Sequence, residues 1–264
     1  MVSPGFLQRF AAESAGLARR FERVYDQNNT VTRTERRKKT ARSAIVAAAI
    51  LSFGAGTSVA AAEAVAPPAS TVRGHSVTHP QAQLTVRVPT TATYVGSDRF
   101  DLYGVADAEI QVFVEADKNK RLTKLYWIQF ESYWPSKPEL THDYTGDRRE
   151  QHWGATTWVS GGPGSTTESP RPGSDTEHVR AILKRAGYSQ PAEVMNVRMV
   201  QLLDDPNGTG HGRDELMFIY AEDLAPTGST LAELTTDSKP NAKWTPIEQA
   251  LIKRATNSFT IERK

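Results

Sequence analysis

The chain is predicted to be an α+β protein: a curved antiparallel sheet of about seven strands, or a partial barrel, covered on one side by two amphipathic helices and preceded by an N-terminal signal or anchor helix. Three observations predict this. Residues 108–135 alternate with period two over two runs, about a polar Asp117–Arg121 turn. Two later segments carry a single apolar stripe at helical spacing with end signals. An apolar run near the start is flanked by arginines and lysines. Period-two alternation marks strands with one buried face, and a one-sided helix must cover a sheet rather than be enclosed.

The 108–135 hairpin is the centre of the prediction. Ile110, Val112 and Val114 alternate with Gln111, Phe113 and Glu115, and Tyr126, Ile128 and Phe130 alternate with Trp127, Gln129 and Glu131. A bank of large rings buries much apolar area on one face. Glu131 is expected on the opposite, wet face, because ionised groups are rarely buried unpaired.

In order along the chain, residues 1–30 place Phe6, Phe10, Leu17, Phe21 and Val24 at helical spacing. They are either an amphipathic extension or an untranslated stretch ahead of a start at Val31. Residues 31–64 follow the plan of a secretory signal: a charged region from Arg33 to Arg42, an apolar core Ala44–Phe53, and a small-residue tail. The competing expectation is a retained anchor formed by residues 44–62, close to span length but rich in weakly inserting Ala, Gly and Ser. Residues 65–80, rich in Pro, Ser and Thr, read as a linker, and 81–264 as the globular domain.

Within that domain, Gln83–Val88, Arg99–Val105, the hairpin, Gln151–Val159, Val194–Leu203 and Glu215–Glu222 read as strands. Thr141–Glu150 and Gly161–Gly173 read as loops, and Asp204–Asp214 as a long flexible hairpin connection. Ser174 and Glu177 are spaced as a capping box ahead of Val179, Ile182 and Leu183, with Gly187 as the stop. Thr230 and Glu233 are spaced to cap a short turn. Thr245-Pro246-Ile247-Glu248 combines an N-cap, a proline at the first helical position and a capping glutamate.

Charge and composition exclude some functions. The chain is 38% hydrophobic with mean hydropathy −0.50, which does not suit a multi-span membrane protein. Residues 1–64 hold 10 Lys/Arg against 5 Asp/Glu, leaving 22 against 25 for the rest. The basicity therefore belongs to the leader, and no nucleic-acid partner is predicted. The absence of cysteine removes disulfides, thiolate metal sites and cysteine nucleophiles. No cofactor is predicted.

Among chemistry-bearing residues, His142, Asp143 and His152 sit in and after the loop that follows the aromatic strand. They are the candidate catalytic group, since a His beside a carboxylate can act as a general base. No fixed His spacing predicts a metal. Trp127, Tyr133, Trp134, Tyr144 and Trp153 are the candidate ligand-binding aromatics. Asp204 and Glu215 stand at positions 1 and 12 of a calcium-type loop, but Pro206, Gly208 and Thr209 occupy positions that need oxygen ligands and a glycine, so that motif fails. Gly161–Gly164 lacks the Lys-Ser/Thr of a phosphate loop. His178, in the first turn of a helix, is expected at the surface.

Three functions follow as expectations. The first is an exported, periplasmic or secreted, non-enzymatic domain binding a small apolar or aromatic ligand or an envelope protein. The second is a hydrolase-like enzyme using His142, Asp143 and His152. The third is a single-pass envelope protein, touching the membrane only through its N-terminal apolar segment.

Overall fold

The computed structural model describes residues 66–264. The 1–30 extension, the leader and its candidate span lie outside them. Among the described residues no helix is long and apolar enough to cross a membrane.

The described chain opens with β1 (Thr71–Arg73), β2 (Ser76–His79) and β3 (Leu84–Arg87), followed by β4 (Thr93–Leu102), β5 (Ala106–Ala116) and β6 (Leu122–Tyr133). Next come β7 (His142–Asp143), β8 (Arg148–His152), β9 (Ala155–Ser165) and helix α1 (Asp175–Arg185). After β10 (Glu193–Leu202), β11 (His211–Gly212) and β12 (Asp214–Asp223) follow α2 (Leu231–Leu234), β13 (Thr235–Thr236), β14 (Lys239–Pro240), α3 (Trp244–Ser258) and β15 (Thr260–Arg263). Antiparallel sheet dominates, with few helices. The main sheet has seven strands in the order β4-β5-β6-β12-β10-β9-β8, and β1-β2-β3-β15 form a second, smaller sheet.

Some boundaries differ from those predicted, each for a tertiary reason. The segment expected as a linker contains β1 and β2. Gly74 takes φ +57° to turn the chain, and Val77 is fully buried against the core. The predicted strand 83–88 lies in this small sheet, between β2 and β15, rather than in the main one. Gln151–Val159 is two strands, because Trp153 and Gly154 take φ of +50° and +75°, the positive pair of a tight hairpin turn. The glycine-rich run expected as a loop instead continues β9 as far as Ser165. Gly161 lies opposite Val197, and a Cβ there would stand 2.6 Å from the Asn196 carbonyl oxygen. Glycine is what lets the two backbones meet, and a local composition rule cannot see the partner.

The helices also differ. Ser174 caps α1 by accepting from the Glu177 N–H, but the Glu177 carboxylate accepts from Gly173, one residue earlier than a capping box requires. Thr230 and Glu233 form the complete box at α2. Helix α3 begins at Trp244, with Lys243 as N-cap and no side-chain cap, so Thr245 and Pro246 lie inside its first turn. Burial of Trp244 at the helix start overrides the local signal.

The two amphipathic helices lie on opposite faces of the main sheet, not together on one. On the front face Phe113, Tyr126, Ile128, Phe130, Phe218 and Tyr220 pack with Val77 and Val86 of the small sheet and with Leu251, Ile252 and Ala255 of α3. Phe259 seals this layer, its ring 4.8 Å from that of Phe218 and 5.9 Å from that of Tyr126. On the back face α1 lies over β4 and β5 and buries Val179, Ile182 and Leu183. Each such side chain contributes about 1.5–3 kcal/mol. Because both faces are covered, β6 is buried continuously from Leu125 to Glu131.

Candidate functional site

Covering the back face has a chemical consequence at the far end of β6. Gln129 and Glu131 point to that face, and both are buried. Glu131 is therefore not on a wet face. Its cross-strand partner is Glu215, only 2% exposed, at the start of β12. Two carboxylates directly opposite one another repel unless something intervenes.

A lid supplies part of that. β7 and β11 pair as a short ribbon, with His142 opposite Gly212. Gly212 cannot carry a side chain there, since a Cβ would stand 2.4 Å from Asp204 Oδ1. The 204–214 connection is tied down rather than loose: Asp204 accepts from the Arg213 and Asp214 N–H groups, and Asp205 from those of Thr209 and Gly210. This ribbon lays His142 and Tyr144 over the sheet, so the segment expected as a solvated loop buries both.

The polar groups form two hydrogen-bonded runs that meet at the facing glutamates. Trp127 Nε1 donates to Gln129 Oε1 at 3.0 Å, and Gln129 Nε2 donates to Glu131 Oε2 at 2.9 Å. Tyr144 Oη donates to Glu215 Oε2 at 2.5 Å, and His142 Nδ1 lies 3.2 Å from the same oxygen. His142 Nε2 is buried with no hydrogen-bond partner. The His142 ring lies 4.5 Å from that of Tyr133. Arg198, from the middle of β10, pairs with Asp147 at 3.0 Å and sits over the Tyr144 ring.

The electrostatics follow from burial. Desolvation, with the Glu215 charge adding to it, pushes the Glu131 carboxyl well above its usual value. Burial and Glu215 likewise raise the Tyr144 phenol, and burial raises Asp175. The neighbourhood is thus acid-rich, with Arg198 as its guanidinium.

The remaining predicted residues are elsewhere. Asp143 is exposed and accepts from Thr145 Oγ1. His152, at the tip of the β8–β9 hairpin, pairs with Glu150 at 2.7 Å. Trp134 Nε1 donates to Asp101. Trp153 Nε1 donates to the Phe259 carbonyl on the front face. His142, Tyr144 and Tyr133 are brought together; Asp143, His152, Trp134 and Trp153 have separate partners. His178 is only partly exposed, stacked on Phe100 at 3.6 Å and 2.8 Å from Asp98.

A second feature runs from between the sheets around the strand ends. A cleft of about 880 Å³ is lined by His79 and Arg263 from the small sheet, by Arg99 and Glu109 on the front face of the main one, and by Glu131, Glu215, Arg149 and Trp158, which the strand register puts on its back face. Arg99 is held by Asp107, and Glu109 accepts the Ser70 N–H. Arg149 lies over the Trp158 ring and Arg263 donates to Gln201, and among the described residues neither forms an ion pair with a carboxylate. Burial lowers the Arg263 guanidinium below its usual value, with no neighbouring charge offsetting it.

Glu215, Arg198 and Gln129 are the residues that sequence patterning missed. A signal existed: each is a charged or amide side chain interrupting an apolar strand. The cross-strand register that joins Glu131 to Glu215 is not local.

These features define an α+β protein with a buried carboxylate–imidazole–phenol cluster on one face of its sheet and a polar cleft at the strand ends that shares Glu131 and Glu215 with it. Comparison of the chain with protein-family models, curated proteins and solved structures finds no match.

Proposed function

We propose that this chain is an exported binding domain whose ligand is a small polar molecule carrying a carboxylate or phosphate, taken up in the cleft between the two sheets. The observation that carries this is the pair of guanidiniums, Arg149 and Arg263, lining one cleft with no ion-paired carboxylate among the described residues, although Asp205 lies near enough to feel the Arg149 charge. Guanidiniums recognise such anions by paired, charge-assisted hydrogen bonds. Trp158 beside Arg149 offers a flat apolar surface to the rest of the ligand. The ligand is therefore polar rather than the apolar or aromatic one expected from ring content, since Tyr126, Phe218 and Phe259 are consumed by the core.

Export rests on the charged, apolar and small-residue order of residues 31–64. Retention through residues 44–62 is the alternative, and fractionation separates them: full-length protein in membranes favours the anchor. The hydrolase reading draws no support from residues engaged with three different partners.

The test is calorimetric titration of the purified full chain with inorganic phosphate and with citrate. Saturable binding of one of them, weakened at least tenfold by Arg149→Gln and by Arg263→Gln, is the expected result. No saturable binding of either would remove the proposal.

A further inference from the structure

The geometry points to a divalent-cation site formed by Glu131, His142 and Glu215 beneath the β7–β11 ribbon. It stands on observations independent of the cleft's arginines. One donor atom from each residue lies within 4.8 Å of the others, and all three side chains are buried. The one contact measured between donors, His142 Nδ1 to Glu215 Oε2, is 3.2 Å. Two ligands at about 2.0–2.1 Å from one tetrahedral ion stand roughly 3.3 Å apart. That spacing therefore suits a shared ion as well as it suits a hydrogen bond.

Three further features favour a cation. First, His142 is buried and its Nε2 has no partner, so the ring's polar contact is through Nδ1, the nitrogen turned toward Glu215 and placed to ligate. Second, the surroundings are acid-rich: Asp147 and Asp175 lie in the same neighbourhood, and Arg198 is already engaged by Asp147. Third, each carboxylate already has an outer hydrogen-bond donor, Gln129 Nε2 on Glu131 and Tyr144 Oη on Glu215. Groups of this kind orient metal ligands and hold their geometry.

The donor set selects the class of ion. One imidazole and two carboxylates, with no thiolate, suit Zn²⁺, Mn²⁺ or Fe²⁺. Ca²⁺ takes six to eight oxygens, and an imidazole in the set disfavours it. Since His142 comes from the ribbon and the glutamates from the sheet, the ion would pin one to the other.

The experiment uses the full chain, stripped with EDTA, dialysed, and shown by circular dichroism to be folded. It is titrated with Zn²⁺ and with Mn²⁺ by calorimetry. The expected result is one equivalent of one of these ions at micromolar affinity or tighter. Glu131→Gln and His142→Gln each weaken it at least tenfold, while His211→Gln, on the exposed side of the ribbon, leaves it unchanged. Should either ligand variant fail to fold, Tyr144→Phe keeps all three donors and weakens binding by about 10–100-fold, as loss of an orienting group does. Co²⁺ bound to the wild type adds a spectrum: intense ligand-field bands signal low coordination with a nitrogen donor. Absence of stoichiometric binding to the folded wild type, unchanged affinity in the folded ligand variants, or only the weak bands of aqueous Co²⁺ would overturn the assignment. Glu131 and Glu215 also line the anion cleft, and the arginine variants tell the two readings apart: Arg263→Gln weakens the anion and leaves the metal affinity unchanged.

Discussion

Tyr144→Phe isolates one hydrogen bond in the buried cluster without leaving a cavity. The phenol hydroxyl donates to Glu215 Oε2 at 2.5 Å, and the Glu215 side chain is only 3% exposed. Water therefore cannot take the vacated place. The other donor near that oxygen is His142 Nδ1, at 3.2 Å. A hydrogen bond to a charged group contributes about 1.5–3 kcal/mol. The ring keeps its packing beside Arg198, so the loss is confined to that bond. For a domain of this size each kcal/mol moves the melting temperature by about 2–4 °C, which places the variant roughly 3–12 °C below the wild type. Urea unfolding with EDTA present, followed by tryptophan fluorescence, gives the same quantity as a shift in midpoint at unchanged slope. A loss under about 0.5 kcal/mol would mean that this hydrogen bond is weak or readily replaced, and the account of the cluster as tightly held would fail.

Three further outcomes follow from the packing. Gly161→Ala sets a methyl group 2.6 Å from the Asn196 carbonyl oxygen and should cost about 1–3 kcal/mol, read by chemical denaturation; a neutral result would show that β9 and β10 separate easily. Leu251→Ala, at a fully buried position of α3, should cost about 2–5 kcal/mol, whereas Gln249→Ala on the exposed side stays within about 0.5 kcal/mol. Glu115 is pushed up by burial, but hydrogen bonds from Tyr126 and Thr91 and its pair with Lys124 outweigh this and hold it below its usual value. A carboxyl depressed in the folded state contributes stability above its unfolded value of 4.5, and that contribution is lost as pH falls through the lower folded value. Glu115→Gln should therefore flatten the acid limb of a stability–pH curve; an unchanged limb would refute the assignment.

How much of this was readable along the chain follows from what is local. The 108–135 hairpin, its turn held by Asp117, the stripe of α1 and the strands at 193–202 and 214–223 all appear in the sequence, because alternation and end signals act over a few residues. The positions of β1 and of Gly161 in strands were hidden, since each is fixed by a partner far away in sequence. The helix stripes showed that each covers a sheet, but not which face.

The candidate site divides in the same way. Residue type marked His142 and Tyr144 as worth attention, and the interrupted apolar pattern marked Glu131. Only the tertiary structure decided that β6 lies beside β12, so that Glu131 meets Glu215, and that a two-residue ribbon drops an imidazole between them and solvent. Chain-local forces choose the elements, whereas burial and the pairing of charges depend on which elements become neighbours. The chemistry of this protein resides in that second choice.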